Sequence, residues 1–111
     1  MAEEKRRYFA TPIDVKKGII DLTHGAGGRA TAQLISQVFA RAFSNEILEE
    51  GHDGAFLPEI HGTPVVSCDA HVIRPLFFPG GDIGSLAVAG TVNDVAMCGA
   101  KPLYIAACFV I

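Results

Sequence analysis

The sequence predicts an α+β (mixed α/β) domain, and three observations carry that reading. Two stretches repeat apolar residues every three or four positions, as helices do. Four short apolar runs read as strands. Glycine- and proline-rich turns separate them. The 111 residues suit a single domain. Half of them are hydrophobic and 19% are charged, which places the chain among globular proteins rather than disordered ones. One core is expected, burying roughly two-thirds of the surface of the unfolded chain. The apolar share is high for this size, so part of the surface is expected to face another domain or subunit.

Residues 1–18 read as a polar N-terminal arm, partly ordered at best, and 19–111 as the folded domain. Ile19-Ile20-Asp21-Leu22 has the look of a short strand, and Thr23-His24-Gly25-Ala26-Gly27-Gly28-Arg29 is a glycine-rich turn. A helix is predicted from about residue 28 to 43. Its stripe is Ala30, Leu34, Ile35, Val38, Phe39, Ala42 and Phe43, with Arg29, Gln33, Ser36, Gln37 and Arg41 on the other side. Ser44-Asn45 ends that pattern, and Glu49-Glu50-Gly51-His52 reads as a polar loop. Strands over 55–57 and 64–69 are expected to form a hairpin around Ile60-His61-Gly62-Thr63. Residues 72–81 read as an apolar loop bounded by prolines and glycines.

The second helix is predicted from about residue 83 to 98. Asp82 is its N-cap, Gly99 its C′ residue, and Pro102 lies just beyond. Leu86, Ala87, Val88, Ala89, Val92, Val95, Ala96 and Met97 cover nearly the whole circumference, so burial on more than one side is expected. Residues 103–111 are close to continuously apolar, the pattern of a strand covered on both faces.

Asn93-Asp94 stands out inside the apolar helix. An ionised carboxylate is costly to bury without a partner, and no Lys or Arg lies within the helix. Two readings stay open: Asp94 binds a metal, or it faces solvent on a narrow polar stripe with Asn93, Gly90 and Ser85. Asp53 precedes one expected strand and Asp69 ends another, where a rigid element can hold a ligand group at a rim. Three carboxylates from separate segments would suit Mg²⁺, which takes hard oxygen ligands and bridges to phosphates. Each aspartate alone reads better as turn chemistry or capping, and only convergence of the three favours a metal site. The turn at Gly25, Gly27 and Gly28 leads into a helix start, where free amides and the helix dipole favour phosphate. It lacks the lysine of a Walker A loop and the spacing of a dinucleotide fingerprint, so taken alone it reads as a plain tight turn, with phosphate binding as the alternative. His24, His52, His61 and His71 form no metal pair by spacing, and His71 is notable for following Asp69 by two positions.

The charge of −3 argues against a nucleic-acid partner. The one basic cluster, Lys5-Arg6-Arg7, follows Glu3-Glu4 and reads as solvated. No run approaches a membrane span, and no apolar stretch follows the charged N-terminus as a signal peptide requires. Cys68, Cys98 and Cys108 sit in apolar sequence without metal-ligand spacing and read as reduced core thiols. Cytoplasm is the expected compartment.

Read together, the motifs resemble the HypE family of hydrogenase maturation enzymes. His24-Gly25-Ala26-Gly27-Gly28 resembles that family's glycine-rich opening. The run from Pro75 to Gly84 looks like its PLFFPGGDIG stretch, and the run from Gly90 to Pro102 like its GTVNDLAMxGAxP helix. The second motif is shared with aminoimidazole ribonucleotide synthetase, selenophosphate synthetase and thiamine-monophosphate kinase. The resemblance implies the N-terminal-domain fold of that superfamily: a mixed, roughly four-stranded sheet with helices on one face, two copies joining their sheets into a β-barrel. It implies a homodimer that binds ATP with Mg²⁺. Metal ligands would be Asp53, Asp69 and Asp94, and His24, Gly25, Gly27, Gly28, Asn93 and Asp94 would line the nucleotide. It also implies a second domain and a cysteine-bearing tail outside this stretch, so no catalytic residue is assigned within it. The full enzyme would dehydrate a carbamoyl group on that tail's cysteine to a thiocyanate, the source of the cyanide ligand of the [NiFe]-hydrogenase iron. Its implied partners are the carbamoyltransferase HypF and the HypC–HypD complex. Two positions depart from the family pattern. Cys68-Asp69-Ala70 replaces Thr-Asp-Ser or Thr-Asp-Gly and removes hydroxyls beside the implied metal. Asp53-Gly54-Ala55 carries one acid where many relatives carry two. Another enzyme of the superfamily and a non-catalytic dimerisation scaffold are the alternative readings.

Overall fold

The structure is a computed structural model and describes residues 11–111. The Lys5-Arg6-Arg7 cluster and most of the expected arm lie outside the described residues. The chain divides into two units, one reaching to Pro58 and one over Glu59–Val110.

In the first unit the chain is ordered earlier than its polarity suggests. The Asp14 carboxylate accepts the amides of Lys16 and Lys17 at 2.9 and 3.1 Å, and the Gly18 amide closes the turn on the Asp14 carbonyl at 2.7 Å. A Cβ on Gly18 would stand 2.5 Å from that carbonyl oxygen, so only glycine fits. The segment is tied to a continuous helical run over 29–43, here α1. The Ile13 amide donates to Gln37 Oε1 at 2.7 Å, and Gln33 Nε2 donates to the Thr11 carbonyl. The two glutamines are four apart and share a face. They were placed opposite the apolar stripe, and there they hold residues 11–13. Within α1, Arg29–Leu34 and Ala40–Phe43 are α-helical and Ile35–Phe39 is a π-helical stretch. A further helical turn, α2 (Glu46–Glu49), lies between the end of that helix and the loop expected at 49–52 and takes in its first residue. Its start is capped by Asn45, which accepts the amides of Ile47 and Leu48 at 3.0 and 3.1 Å.

The second unit is built on α3 (Ile83–Met97). Asp82 is its N-cap, as predicted: its carboxylate accepts the Ser85 amide at 2.7 Å, and the Asp82 amide donates back to Ser85 Oγ at 2.9 Å. Gly99 is the C′ residue, at φ +72°. Its amide bonds the Ala96 carbonyl at 2.9 Å, and the Ala100 amide bonds Val95 at 3.3 Å, which completes a Schellman motif. Directly before α3, β1 (Phe77–Phe78) and β2 (Gly81–Asp82) pair antiparallel, Phe77 opposite Asp82 and Phe78 opposite Gly81. This stretch was expected to be a loop. Pro79-Gly80 is a two-residue connection, with Gly80 at φ +92°, so the punctuation marks a hairpin.

The hairpin expected over 55–57 and 64–69 is absent, and residues 19–22 and 103–111 are not strands either. A strand exists only where a neighbour takes its amides and carbonyls. None of these four segments has such a ladder partner among the described residues. The expected core is not found either. No described residue is buried, and Leu22, Val72 and Val110 are 94%, 95% and 98% exposed. The three cysteines are free, as expected, but exposed rather than in a core. On α3 the half-buried residues include Ile83, Ala87, Gly90, Thr91 and Val95, one stripe of a helix that is apolar all round. No described helix is long and apolar enough to cross a membrane.

Candidate functional site

The glycine-rich turn belongs to the first unit and is organised by residues outside the motif. Asp21 caps a 3-10 turn over Leu22–Gly25. Its carboxylate accepts the Thr23 amide at 2.9 Å and the Thr23 hydroxyl. These two bonds, with the His24 ring adding to them, hold the Asp21 carboxyl below its ordinary value of 3.8. The Asp21 amide donates to His24 Nδ1 at 3.1 Å, and the same nitrogen lies 3.0 Å from Asp21 Oδ1. A neutral ring accepts the amide there, whereas an imidazolium would donate to the carboxylate. Thr31, on the first turn of α1, reaches back. Its hydroxyl donates to the His24 carbonyl at 2.7 Å and accepts the Gly27 amide at 3.0 Å.

Gly27 sits at φ +74°, in the left-handed region that glycine tolerates. Gly28 is the N-cap of α1 and offers no side chain, so the amides of the first turn carry no side-chain cap. A Cβ on Gly25, Gly27 or Gly28 would meet nothing within 4 Å. The turn is therefore open on the outside and pinned from within, and its uncapped amides suit an anionic group. Asp21, Thr23 and Thr31 were not singled out from sequence. The Asp-x-x-His spacing was the available signal, since it matches a capping box.

In the second unit, the segment over 67–71 lies against α3. Ser67 Oγ donates to Asp94 Oδ2 at 3.4 Å. His71 meets the helix at Gly90, where an ideal Cβ would stand 2.7 Å from its Nε2. Gly90 and Asp94 are one turn apart on one face. Asp69 therefore sits between two anchors on the helix that carries Asn93 and Asp94. Its Oδ1 accepts the Ala70 amide at 2.8 Å, and its Oδ2 lies 3.4 Å from His71 Nε2. Asn93 and Asp94 are exposed. The stripe reading of Asp94 is right about exposure, but the stripe is also the seat of the 67–71 segment. Ser67 and Gly90 were missed as contact residues, because a contact between distant segments leaves no periodicity to read.

Asp53 lies in the first unit and is exposed. Beside it, the His52 and Phe56 rings meet edge to face at 5.8 Å. Among the described residues, neither unit holds three or more His, Cys, Asp or Glu arranged to bind a metal ion. The donor chemistry of the second unit still fits Mg²⁺, which is commonly held by one or two carboxylates together with substrate phosphates. Asp69 and Asp94 are the carboxylates on that segment and on that helix.

Comparison with known proteins gives a family. The AIR synthase related protein, N-terminal domain, matches residues 51–111. The chain is 58% identical to the carbamoyl dehydratase HypE of Cupriavidus necator, over 93% of this chain and 30% of that protein. It is 47% identical to the carbamoyl dehydratase HypE of Escherichia coli K12, over 83% of this chain and 29% of that one. With a putative hydrogenase expression/formation protein of Methanocaldococcus jannaschii the identity is 44%, over 72% of this chain and 26% of the relative. The chain thus spans 30% of the length of the HypE relatives of Cupriavidus necator and Bradyrhizobium diazoefficiens. No solved structure matches it.

Proposed function

The chain belongs to the AIR synthase related family through that N-terminal domain, and from this premise we propose that it is the nucleotide-binding and dimerisation part of an ATP-dependent [NiFe]-hydrogenase maturation enzyme. The observation that carries the reading is the 58% identity, over 93% of this chain, to a protein named carbamoyl dehydratase. In this reading the complete enzyme dehydrates a carbamoyl group on a C-terminal cysteine to a thiocyanate, which becomes the iron's cyanide ligand. Its partners are HypF and the HypC–HypD complex, and it works in the cytoplasm.

The chain's own residues have the following parts. The uncapped start of α1, opened by Gly25, Gly27 and Gly28, takes phosphate oxygens through backbone amides. Asp21 and Thr31 fix the turn so that those amides need no rearrangement on binding. Asp53, Asp69 and Asp94 would hold Mg²⁺, and His24, Asn93 and Asp94 would line the nucleotide. When bound, ATP would drive that dehydration. The mixed, roughly four-stranded sheet and the β-barrel made with a second copy's sheet would form only on dimerisation, since the described residues of the single chain pair only β1 with β2. The exposed apolar residues support this, because covering one Val or Leu stabilises by about 1.5–3 kcal/mol.

Calorimetric titration of ATP with and without Mg²⁺ tests the reading. The parent chain is expected to give heat that depends on Mg²⁺, and Asp94→Asn to bind at least about 10-fold more weakly. A parent that gives no heat rejects nucleotide binding. That outcome would favour a non-catalytic dimerisation scaffold, the reading supported by Cys68 and Ala70, whose side chains bring no hydroxyl to Asp69.

A further inference from the structure

We propose that His71 is a positioning residue: seated on Gly90 of α3, its imidazole holds the carboxylate of Asp69 against that helix. Glycine inside a helix is a destabilising choice, because it gives up backbone entropy and packs no side chain. At position 90 that choice has a use. An ideal Cβ there would stand 2.7 Å from His71 Nε2 and 3.4 Å from Cε1, so the missing methyl is the space the ring occupies. The His71 side chain is only 15% exposed, whereas that of His61 in the same unit is 88% exposed.

From this seat Nε2 faces Asp69 Oδ2 at 3.4 Å, while Asp69 Oδ1 is engaged by the Ala70 amide at 2.8 Å. At 3.4 Å this is a close polar contact between ring and carboxylate, and the packing of the ring on Gly90 keeps it in place. Ser67 Oγ donates to Asp94 Oδ2 at 3.4 Å one helical turn further on, so the residues between these two contacts lie along α3. The metal consequence rests on the nucleotide-site reading above, in which Asp69 is a ligand. Groups that orient a ligating carboxylate typically change metal affinity by about 10–100-fold when removed.

The test combines two measurements on the chain. In thermal unfolding, Gly90→Ala is expected to lower the melting temperature of the parent, because the new methyl displaces the ring. In a His71→Ala background the same change is expected to raise it, because alanine is the better helix former. In Mn²⁺ titration with ATP present, His71→Ala is expected to weaken binding about 10-fold, and His71→Gln, whose amide reaches to a similar point, to restore most of it. A Gly90→Ala effect of the same sign in both backgrounds overturns the inference. So does an Mn²⁺ affinity that Asp69→Asn lowers and His71→Ala leaves intact. A parent that binds no Mn²⁺ removes the nucleotide-site reading instead, and the melting comparison then decides on His71 by itself.

Discussion

At the scale of single residues, much of the local order comes from short side chains that satisfy the ends of helices. Asp21 and Asp82 cap the turns that begin at Leu22 and Ile83, and both carboxyls are held below their ordinary value of 3.8. The causes are local: the Thr23 hydroxyl and amide act on Asp21, and the Ser85 amide leads for Asp82. A depressed carboxyl stabilises the folded state above its unfolded pKa, and the gain is lost as pH falls through the folded value. The melting temperature is therefore expected to be level above about pH 5 and to drop below about pH 4. Asp82→Asn, which still caps, is expected to flatten part of that acid limb with a small loss at neutral pH. Circular dichroism melts from pH 3 to 7 check this; parallel acid limbs for parent and variant would remove Asp82 as a cause. The Asp82 cap was legible in sequence because a cap is set within one turn of helix. Thr31 was not, because its hydroxyl bonds a carbonyl seven residues away, across the turn.

At the scale of elements, β1, β2 and the start of α3 are one knot. The Ile83 amide donates to the Leu76 carbonyl at 2.9 Å, Gly81 pairs with Phe78, and the Asp82–Ser85 box closes the helix end. Gly81 sits at its centre: a Cβ there would stand 2.9 Å from Ser85 Oγ and 3.1 Å from the Phe78 ring. Gly81→Ala is expected to cost about 1–3 kcal/mol, since two packed groups must move together. A urea denaturation midpoint unchanged by Gly81→Ala would show that the hairpin and cap are independent. Both helices could be placed from sequence to within a residue or two, because a 3.6-residue period and its caps are local signals. The strands could not. Residues 55–57, 64–69 and 103–111 have the composition of strands, but composition supplies no partner.

At the scale of the whole molecule, the apolar content is not absorbed within the described chain. Val66, Val72 and Val110 are at least 90% exposed, and so is Leu22. On the proposed reading a second copy covers this surface. A specific interface buries at least about 1,000 Å², and an obligate homodimer makes stability depend on concentration. The melting temperature is expected to rise with protein concentration across the micromolar range, and sedimentation to report a dimer. Val110→Asp is expected to shift the chain toward monomer and to lower its melting temperature. A monomeric parent with a concentration-independent melting temperature rejects the dimer.

The sequence by itself determined both long helices, their Asp82 and Gly99 ends, the glycine turn and the family resemblance. Each of these is written in residues no more than a few turns apart, or in motifs read as strings. Only the tertiary structure decided that Gln33 and Gln37 hold residues 11–13, that residues 77–82 form the hairpin, and that Ser67 and His71 bring Asp69 to Asp94's helix. Those outcomes depend on which distant segments meet. A contact over tens of residues is set by packing and by hydrogen bonds that no local period records.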